Sequence, residues 1–278
     1  LGSKRCLPLL HPDRLPTPSR RCRCFDPFVG SAAVSIHHLR AGRRVVMADT
    51  NPRLVGAYRW LKTDARAVVN SLGALAEEHV EALAGIDGMA KAHFHHARAI
   101  LNASNPASLE SAGAFLFILR TCFNGIYRVN QKGACNSPYG DPDLRTDLIR
   151  AKGLLELGGL LARADIRHGD FVETTGDARR GDTVYFDPPY PSDKRPGKAG
   201  AFVGYAAGGF TLEDRKRLAA LLRDLDARGV RWTLSDAATE GSASAYGLWR
   251  VTEVSVRRSV AANGERRGRA MELLVSNW

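Results

Sequence analysis

The sequence predicts an α/β fold in which an open parallel sheet is interrupted by a helical insert. Two observations support this prediction. Short apolar runs alternate with helical patterns at both ends of the chain, which is typical of parallel α/β sheets. The middle of the chain is instead rich in Ala, with helical periodicity and no convincing strand. We therefore expect a sheet domain formed by residues 1–62 and 160–278, and a mostly helical domain at residues 63–159.

The first part of the chain has the order strand, loop, helix, strand, helix. Apolar runs and one amphipathic stretch predict a strand at 23–26, a loop at 27–31, a helix at 32–40 and a strand at 45–49. Ser31 is placed to cap the first helix. Asn51 and Pro52 are typical of a helix start, and this second helix should continue through Leu61.

The remaining elements follow from the same patterns. Helical patterns cover residues 63–121, 146–162 and 212–228, and strand patterns cover residues 166–168, 183–186, 230–234, 251–256 and 271–275. Thr211 and Asp214 have the spacing of a capping box at a helix start. The last two strands should pair as a hairpin around Asn263-Gly264.

The charge indicates a polyanionic partner, most simply nucleic acid. The formal net charge is +11 and the sequence pI is about 9.8. However, 32 of the 40 basic residues are Arg, and a GC-rich genome gives the same bias without any role in nucleic-acid binding. Charge alone therefore leaves both interpretations open.

The cysteines and the hydropathy pattern bear on the compartment. Five cysteines are present, an odd number, and no pair has the two-residue spacing of a zinc knuckle, so we expect free thiols in a reducing compartment. No apolar run reaches the roughly 18 residues that span a bilayer, and residues 1–18 lack the apolar core of a signal peptide. We expect a cytoplasmic protein without a membrane partner.

Asp187-Pro188-Pro189-Tyr190 is the sharpest chemical signal. It directly follows an apolar strand, where open α/β sheets bind ligands. Two acceptors, the Asp187 carboxylate and the Pro188 carbonyl, can hold the two hydrogens of a planar amine and turn its nitrogen toward tetrahedral geometry. Prolines stiffen the backbone without a competing N–H, and Tyr190 offers a flat face for stacking. The tetrapeptide predicts direct transfer to a planar amine by positioning, without a covalent intermediate.

A second signal surrounds the loop after the first strand. Gly30 allows a close backbone approach, and a helix N-terminus after that loop favours a carboxylate. Asp49 lies 19 residues after Gly30, at the end of the next strand, where an acid binds ribose hydroxyls. The Gly-x-Gly-x-x-Gly pattern is absent, which argues against a nicotinamide enzyme.

Taken together, these residues resemble the Dam-type (D12 class) DNA adenine methyltransferases over nearly the whole chain. The similar segments, in family order, are residues 2–4, 25–31, 48–51, 168–171, 187–190, 202–205, 257–259 and 272–274. The resemblance implies a Rossmann-like sheet with a helical target-recognition insert. It also implies S-adenosylmethionine as the methyl donor, S-adenosylhomocysteine as the product, and no metal. The expected reaction is methylation of the N6 amine of adenine in double-stranded DNA, with base flipping. We expect a monomer, with a dimer as the alternative, that acts in the bacterial cytoplasm and is encoded by a bacterium or a phage.

The resemblance also implies roles for individual residues. The catalytic residues are expected to be Asp187, Pro188, Pro189 and Tyr190. The cofactor is expected to contact Lys4, Phe28, Gly30, Ser31, Asp49, Asn51, Asp170, Phe171 and Asp187. DNA is expected to contact Arg120, Phe123, Asn124, Arg128, Asn130, Pro138, Tyr139 and Tyr205.

Two of the expected DNA contacts have a physical reason. Arg128 matches the arginine that reads a guanine, and a bidentate contact of this kind discriminates by about 1–3 kcal/mol. Phe123 is an aromatic that can fill the gap left by an extruded base. Asp141 stands where family members often carry a basic residue, and an acid there repels phosphate. We therefore transfer no target sequence from the family to this chain.

Alternatives remain on the sequence alone. The chain could methylate another planar amine, in RNA or in a protein, or it could bind DNA without catalysis. Residues 187–190 could also form a Pro-rich turn that only closes a strand. His93, His95 and His96 lie in a predicted helix without an acid or Cys at ligand spacing, so we expect a polar helix surface rather than a metal site. Residues 266–269 either contact phosphates or form a solvated turn.

Overall fold

The computed structural model describes residues 15–18, 21–86, 88–140, 149–189, 210–237, 246, 248–257 and 269–278. These residues form one seven-stranded sheet and seven α-helices. The strands are β1 (Arg23–Asp26), β2 (Arg44–Asp49), β3 (Ala164–His168), β4 (Thr183–Phe186), β5 (Arg231–Ala237), β6 (Arg250–Arg257) and β7 (Arg269–Ser276). The helices are α1 (Ala33–Arg40), α2 (Pro52–Ala84), α3 (Met89–Ala103), α4 (Leu109–Thr121), α5 (Ala151–Leu161), α6 (Phe171–Thr174) and α7 (Leu212–Ala227).

The sheet is mixed, with the strand order β3-β2-β1-β4-β5-β7-β6. Strands β1 to β5 pair in parallel, and β7 pairs antiparallel with both β5 and β6. The chain moves from β1 outward to β2 and β3, and then returns to the other side of β1 with β4. Open α/β sheets bind ligands at the carboxyl ends of the strands beside such a reversal. The carboxyl ends of β1, β2 and β4 are therefore the expected place for a site.

The central parallel strands β1, β2 and β4 are mostly buried because both faces of the sheet are covered there. All four residues of β4 are buried. Val184 and Phe186 lie in one core cluster, whereas Tyr185 between them lies in another. The first cluster also contains Trp232 of β5 and the apolar side of α7, formed by Leu218, Leu221, Leu222 and Leu225. The strand ends are thus held by a core on each side of the sheet.

Local hydrogen bonds confirm two predicted helix starts. The Asn51 side-chain oxygen accepts the N–H groups of Arg53 (3.0 Å) and Leu54 (3.3 Å) at the start of α2. At the start of α7, Thr211 and Asp214 form the predicted capping box in both directions. The predicted strands are all present, and the last two pair as predicted, although the turn at 263–264 lies outside the described residues.

The predicted cap at Ser31 is wrong. The residue that precedes α1 is Ala32, which has φ 57° and ψ 25° and makes no side-chain cap. Two left-handed residues, Gly30 (φ 43°) and Ala32, turn the loop before the helix begins. The helix therefore starts one position later than the sequence pattern indicates, and the Ser31 hydroxyl does not satisfy its first N–H groups.

Helix α2 continues well past Leu61, to Ala84, but it breaks once. Asp64 has non-helical angles (φ −151°, ψ 86°), and its carboxylate accepts the N–H of Ala67 at 2.9 Å. Asp64 thus caps the second half of the helix in the way that an N-terminal residue does. The break lies close to the predicted change of pattern at residue 62.

The described residues divide into two compact units. The first contains those before Asn51, residues 163–189, and those from 210 onward. The second contains the described residues from Asn51 to Ala162. The sequence led us to expect a helical domain at residues 63–159. The helical unit extends beyond both of these bounds, to Asn51 and to Ala162.

Contacts of the first turns of α2 explain why they belong to the helical unit. The Arg53 guanidinium donates to the Ser104 carbonyl (3.2 Å) and the Ser111 hydroxyl (2.9 Å). Gly56 lies so close to the Pro106 carbonyl that a side chain there would clash with the backbone. These contacts bind the start of α2 to the residues around the start of α4.

Two further predictions concern thiols and membranes. Cys24, Cys122 and Cys135 are free thiols, as predicted, and Cys6 lies outside the described residues. Within the part of the chain that the structure describes, no helix combines the length and the apolar character needed to cross a membrane.

Asp226, near the end of α7, joins three segments of the C-terminal half. Its carboxylate accepts hydrogen bonds from the indole N–H groups of Trp232 (3.2 Å) and Trp249 (2.6 Å), and from the side-chain amide of Asn277. The Asn277 side chain also accepts the backbone N–H of Trp232 (2.8 Å) and donates to the Val230 carbonyl (2.9 Å). One half-buried carboxylate therefore connects α7, β5 and the end of β7.

We expect Asp226→Ala to lower the free energy of unfolding in urea by about 2–4 kcal/mol, because it leaves buried N–H donors without their acceptor. The matched control is Asp224→Ala on the same helix turn. Asp224 forms an exposed ion pair with Arg228 (2.9 Å), so its loss should cost less than about 0.5 kcal/mol. Equal losses in the two variants would contradict the role assigned to Asp226.

Candidate active site

Three carboxylates stand at the carboxyl ends of neighbouring strands. Asp49 is the last residue of β2, Asp26 is the last residue of β1, and Asp187 directly follows β4. Burial raises the pKa of Asp26, and the nearby charges of Asp187 and Asp49 raise it further. The strand order β2-β1-β4 therefore brings together acids that are far apart in the sequence.

The loop after β1 is fixed to the end of β2. The Gly30 N–H donates to the Asp49 carboxylate at 3.2 Å, and the Val29 N–H donates to the Ala48 carbonyl at 2.9 Å. Gly30 has a left-handed φ of 43°, which favours glycine. Among the described residues, a Cβ at Gly30 would meet only the Phe28 carbonyl oxygen, at 3.8 Å. The backbone of this loop is therefore held firmly to the end of β2.

Asp26 is a buried acid with one close partner. Its side chain is 4% exposed, and its carboxylate accepts the hydroxyl of the buried Ser35 on α1 at 2.6 Å. Burial raises the pKa of Asp26 to about 7, although the Ser35 hydrogen bond acts in the opposite direction. The folded protein thus keeps a proton near neutral pH that an unfolded aspartate would release near pH 4.

An aromatic cluster lies beside the loop. Phe28 stacks on Phe171 with ring centroids 5.4 Å apart and an interplanar angle of 29°. Phe210 meets Phe28 edge-on at 5.9 Å, and Phe186 of β4 lies 6.5 Å from Phe28. Phe171 is buried, whereas Phe28 and Phe210 are half-buried. The cluster presents an aromatic surface suited to a planar ring.

Asp170 directly precedes the short helix α6 and caps it. Its carboxylate accepts the Val172 N–H at 2.9 Å. Arg217 of α7 donates to both carboxylate oxygens, at 2.6 and 3.2 Å, and its guanidinium lies 5.0 Å from the centroid of the Phe171 ring. Arg217 therefore fixes the orientation of Asp170 and packs against Phe171 at the same time.

The other residues predicted for this site differ in their surroundings. In the catalytic tetrapeptide, Asp187 is half-buried, Pro188 is buried and Pro189 is exposed. Ser31 is half-buried beside Gly30. Asn51 begins the second unit, where its side-chain oxygen caps α2. Three predicted site residues lie outside the described residues: Lys4, Tyr190 and Tyr205.

In the second unit, residues 122–140 fold back on themselves, and we call them the recognition hairpin. Two antiparallel bridges join Cys122 to Tyr139 and Val129 to Cys135. Between them, the Arg128 N–H donates to the Ser137 hydroxyl at 2.8 Å. These contacts fix the register of the two arms of the hairpin.

Gly140 closes the hairpin where it meets α4. Its N–H donates to the Thr121 carbonyl at 2.9 Å, and the Phe123 N–H donates to the Pro138 carbonyl at 3.0 Å. A Cβ at Gly140 would lie 2.6 Å from the backbone of Cys122, so the close approach of the two arms requires glycine. The base of the hairpin is therefore tightly packed.

Phe123 and Asn124 lie at this base, in a 3₁₀ turn over Phe123–Gly125. The Phe123 side chain is 46% exposed, which is unusual for an aromatic residue next to a packed backbone. Asn124 has a left-handed φ of 55°. The exposed Phe123 ring thus lies beside Asn124, whose backbone is left-handed.

The other residues predicted to contact DNA lie along the same hairpin. The Asn130 side-chain oxygen accepts the N–H groups of Lys132 (2.9 Å) and Ala134 (3.1 Å), which shapes the turn. Pro138 is exposed, and the remaining three are half-buried: Arg120, Arg128 and Tyr139. The hairpin thus gathers every described residue of the predicted DNA contacts except Arg120, which lies in the last turn of α4.

The three histidines of α3 do not share one environment. His95 and His96 are exposed, as predicted, but His93 is half-buried between Glu78 and the buried His79. The expectation of a polar surface is therefore wrong for His93, because α3 packs that face on α2. In the residues that the structure describes, no group of three or more His, Cys, Asp or Glu side chains is arranged to hold a metal ion.

Sequence reasoning missed Ser35, Phe210 and Arg217. Phe210 contacts Phe28 and Arg217 contacts Asp170, which are predicted site residues far along the chain. Ser35 contacts Asp26, which lies nine residues earlier and was itself not among the predicted site residues. Local patterns indicate only that Arg217 follows Asp214 by one helical turn, a spacing that predicts their ion pair at 2.9 Å. Nothing local indicates the second partner.

A protein-family model matches most of this sequence. The model of the D12 class N6 adenine-specific DNA methyltransferases matches residues 2–260. The chain belongs to this family. The family resemblance and the α/β methyltransferase fold predicted from the sequence are thereby confirmed. Site-specific methylation of DNA at the N6 amine of adenine is the activity of this D12 methyltransferase, and a DNA methyltransferase implies S-adenosylmethionine as the methyl donor.

Several relatives match this D12 methyltransferase along most of their length. It is 29% identical over 268 residues to the type II methyltransferase M1.LlaDCHI of Lactococcus lactis subsp. cremoris, covering 94% of this chain and 88% of that protein. It is 30% identical over 263 residues to the type II methyltransferase M.MjaIII of Methanocaldococcus jannaschii, covering 91% and 88%. It is 28% identical over 257 residues to the DNA adenine methylase of Vibrio cholerae, covering 90% and 85%.

The raised pKa of Asp26 leads to a prediction about stability. Between pH 5.5 and 8, the free energy of unfolding of the wild type should fall by about 2 kcal/mol more than that of Asp26→Asn. The reason is that the folded state loses its Asp26 proton near pH 7, whereas the unfolded state has already lost it. Asparagine does not titrate, and its oxygen still accepts the Ser35 hydroxyl. Urea unfolding of both proteins at both pH values measures the difference. Parallel pH profiles for the two proteins would show that the pKa of Asp26 is not raised.

Proposed function

We propose that this chain methylates adenine in double-stranded DNA, with its active site at the carboxyl ends of β1, β2 and β4. S-adenosylmethionine binds over the loop after β1. The observation that carries the proposal is the arrangement of Asp49, Gly30 and Asp187 around Asp26. Recognition of the duplex belongs to the recognition hairpin, and the target base is turned out of the helix.

The chemistry of the residues fits S-adenosylmethionine. The Asp49 carboxylate suits the ribose hydroxyls, and it also accepts the Gly30 N–H of the loop beside it. The stacked rings of Phe28 and Phe171 suit the adenine ring of the cofactor. Asp170, next to Phe171, is placed to accept a hydrogen bond from the amine of that adenine. The N-terminus of α1, which follows the loop, favours the carboxylate of the methionine part.

Three further residues complete the proposed cofactor contacts. Ser31 lies beside Gly30 in the same loop, and Lys4 supplies a charge from the N-terminal motif. Asn51 acts through the start of α2, because its side-chain oxygen caps that helix.

The catalytic residues act by positioning. When bound, S-adenosylmethionine supplies a methyl group on a positively charged sulfur. The Asp187 carboxylate and the Pro188 carbonyl accept the two N–H groups of the adenine amine, which directs the nitrogen lone pair toward the methyl group. The Asp187 charge then stabilises the cationic nitrogen and accepts the proton that it loses. Pro189 stiffens this turn, and Tyr190 stacks on the extruded ring.

The recognition hairpin supplies two kinds of DNA contact. The exposed Phe123 ring, with Asn124 beside it, fits the gap that an extruded base leaves. The Arg128 guanidinium reads a guanine through the major groove. The net charge of +11 supports attraction to the phosphate backbone. The remaining polar residues of the recognition hairpin contribute to this attraction.

Asp187→Ala tests the catalytic role. We expect kcat for methyl transfer to DNA to fall about 100- to 1,000-fold, because one preorganised acceptor is removed from the reacting amine. Asp187→Asn keeps an acceptor oxygen without the charge, so its kcat should lie between those of the wild type and Asp187→Ala. Calorimetric titration with S-adenosylhomocysteine is the control, and its affinity should change by less than about tenfold. Undiminished transfer by Asp187→Ala would refute the assignment.

Arg128→Ala tests the reading of a base. On a library of random duplex sites, discrimination at one base pair should fall by about 1–3 kcal/mol, or roughly 5- to 150-fold. Lys132→Ala is the matched control from the exposed turn of the same hairpin. It should weaken binding to all sequences alike and make binding less sensitive to salt. A methylation pattern that Arg128→Ala leaves unchanged argues against base reading by this residue.

A further inference from the structure

Tyr139, at the base of the recognition hairpin, is enclosed by helix side chains. Its ring centroid lies 5.3 Å from that of Phe94 and 5.8 Å from that of His79. Its hydroxyl lies 3.4 Å from His79 Nε2. Its backbone is bridged to Cys122, the residue before Phe123. The position of Tyr139 therefore sets the position of the exposed Phe123 ring.

His79 belongs to a chain of contacts, which we call the histidine relay: Glu78, His93, His79 and Tyr139. His79 on α2 is fully buried, and its Nδ1 lies 3.2 Å from Nδ1 of His93 on α3. His93 Nε2 lies 3.1 Å from the Glu78 carboxylate on α2. Phe117 of α4 meets both imidazoles edge-on, at 5.2 and 5.4 Å, and completes their apolar enclosure.

The chemistry of the groups dictates the direction of the hydrogen bonds. The Glu78 carboxylate only accepts, so His93 Nε2 carries a hydrogen. A neutral His93 then has a bare Nδ1, which accepts from His79 Nδ1. His79 in turn has a bare Nε2, which accepts the Tyr139 hydroxyl. All of the contacts are satisfied by one consistent set of tautomers.

Either tautomer of a neutral His79 can hold the Tyr139 hydroxyl, because Nε2 either accepts from that hydroxyl or donates to its oxygen. The relay requires only that His79 stays neutral. Burial and the neighbouring His93 lower the pKa of His79 to about 4, so it is neutral near pH 7. The anchor on Tyr139 thus persists across the physiological pH range.

We propose that His79 and His93 are positioning residues for DNA recognition, which hold Tyr139 and thereby the base of the recognition hairpin. The inference rests on the proposed function of that hairpin and deepens it. Tyr139 then serves as an anchor in the helical unit rather than as a direct contact to DNA.

Other contacts hold the hairpin at separate points, which limits the expected effect. Arg98 of α3 donates to the Ser137 carbonyl at 2.7 Å. The Asn102 side chain accepts the Cys135 N–H at 2.7 Å and donates to the Cys135 carbonyl at 3.0 Å. Loss of the relay should therefore shift the Phe123 end of the hairpin and leave the hairpin folded.

Steady-state methyl transfer to unmethylated plasmid DNA, at saturating S-adenosylmethionine, tests the proposal on the full chain. Tyr139→Phe and His79→Phe should each raise the KM for DNA about three- to tenfold, the amount expected for one hydrogen bond, with kcat within about twofold of the wild type. The double variant should show no larger rise than either single variant. His96→Phe, at an exposed position of α3, is the matched control and should leave KM unchanged.

An unchanged KM in Tyr139→Phe, or effects that multiply in the double variant, would overturn the proposal. Tyr139→Phe decides the question by itself if His79→Phe does not fold. The imidazole ¹⁵N spectrum gives a readout that does not depend on activity. We expect the His79 nitrogen shifts to change in Tyr139→Phe and to stay unchanged in His96→Phe. Identical His79 shifts in wild type and Tyr139→Phe would rule out the relay, whereas a wild type that transfers no methyl to DNA would refute the proposed function instead.

Discussion

The loop after β1 depends on two carboxylates at the ends of adjacent strands. Asp26 accepts the Ser35 hydroxyl at 2.6 Å, which binds α1 to β1, and Asp49 accepts the Gly30 N–H at 3.2 Å, which binds the loop to β2. The second contact depends on the parallel register of β1 and β2, in which Asp26 pairs with Met47. The loop is thereby fixed at the same edge of the sheet as Asp187, which directly follows β4.

This arrangement has an electrostatic consequence. Burial raises the pKa of Asp26 to about 7, and repulsion from the nearby carboxylates of Asp187 and Asp49 acts in the same direction. When Asp26 is neutral, the negative charge of the site rests on Asp49 and Asp187, the residues proposed to meet the ribose and the reacting amine. A neutral Asp26 adds no third negative charge beside these two acids, and shifted pKa values of this kind often accompany active sites.

Features governed by local or topological rules were predictable from the sequence, and contacts between distant side chains were not. The caps at Asn51 and Thr211 depend on neighbours along the chain. Asp187 and Asp49 were each expected at a strand end, because open parallel sheets bind ligands there. The pairing of Arg217 with Asp170 and the insertion of β7 between β5 and β6 have no local signal. The enclosure of Tyr139 could not be foreseen either, since residue type does not reveal which way a ring faces.

The central claim is that the strand ends hold both the methyl donor and the target amine. A crystal structure of the chain with S-adenosylhomocysteine and a duplex that contains its target site tests this most directly. We expect the ribose hydroxyls on Asp49, and an extruded adenine whose N6 lies about 3 Å from both the Asp187 carboxylate and the Pro188 carbonyl. An adenine that remains stacked in the duplex, or an N6 held by other groups, would contradict the account.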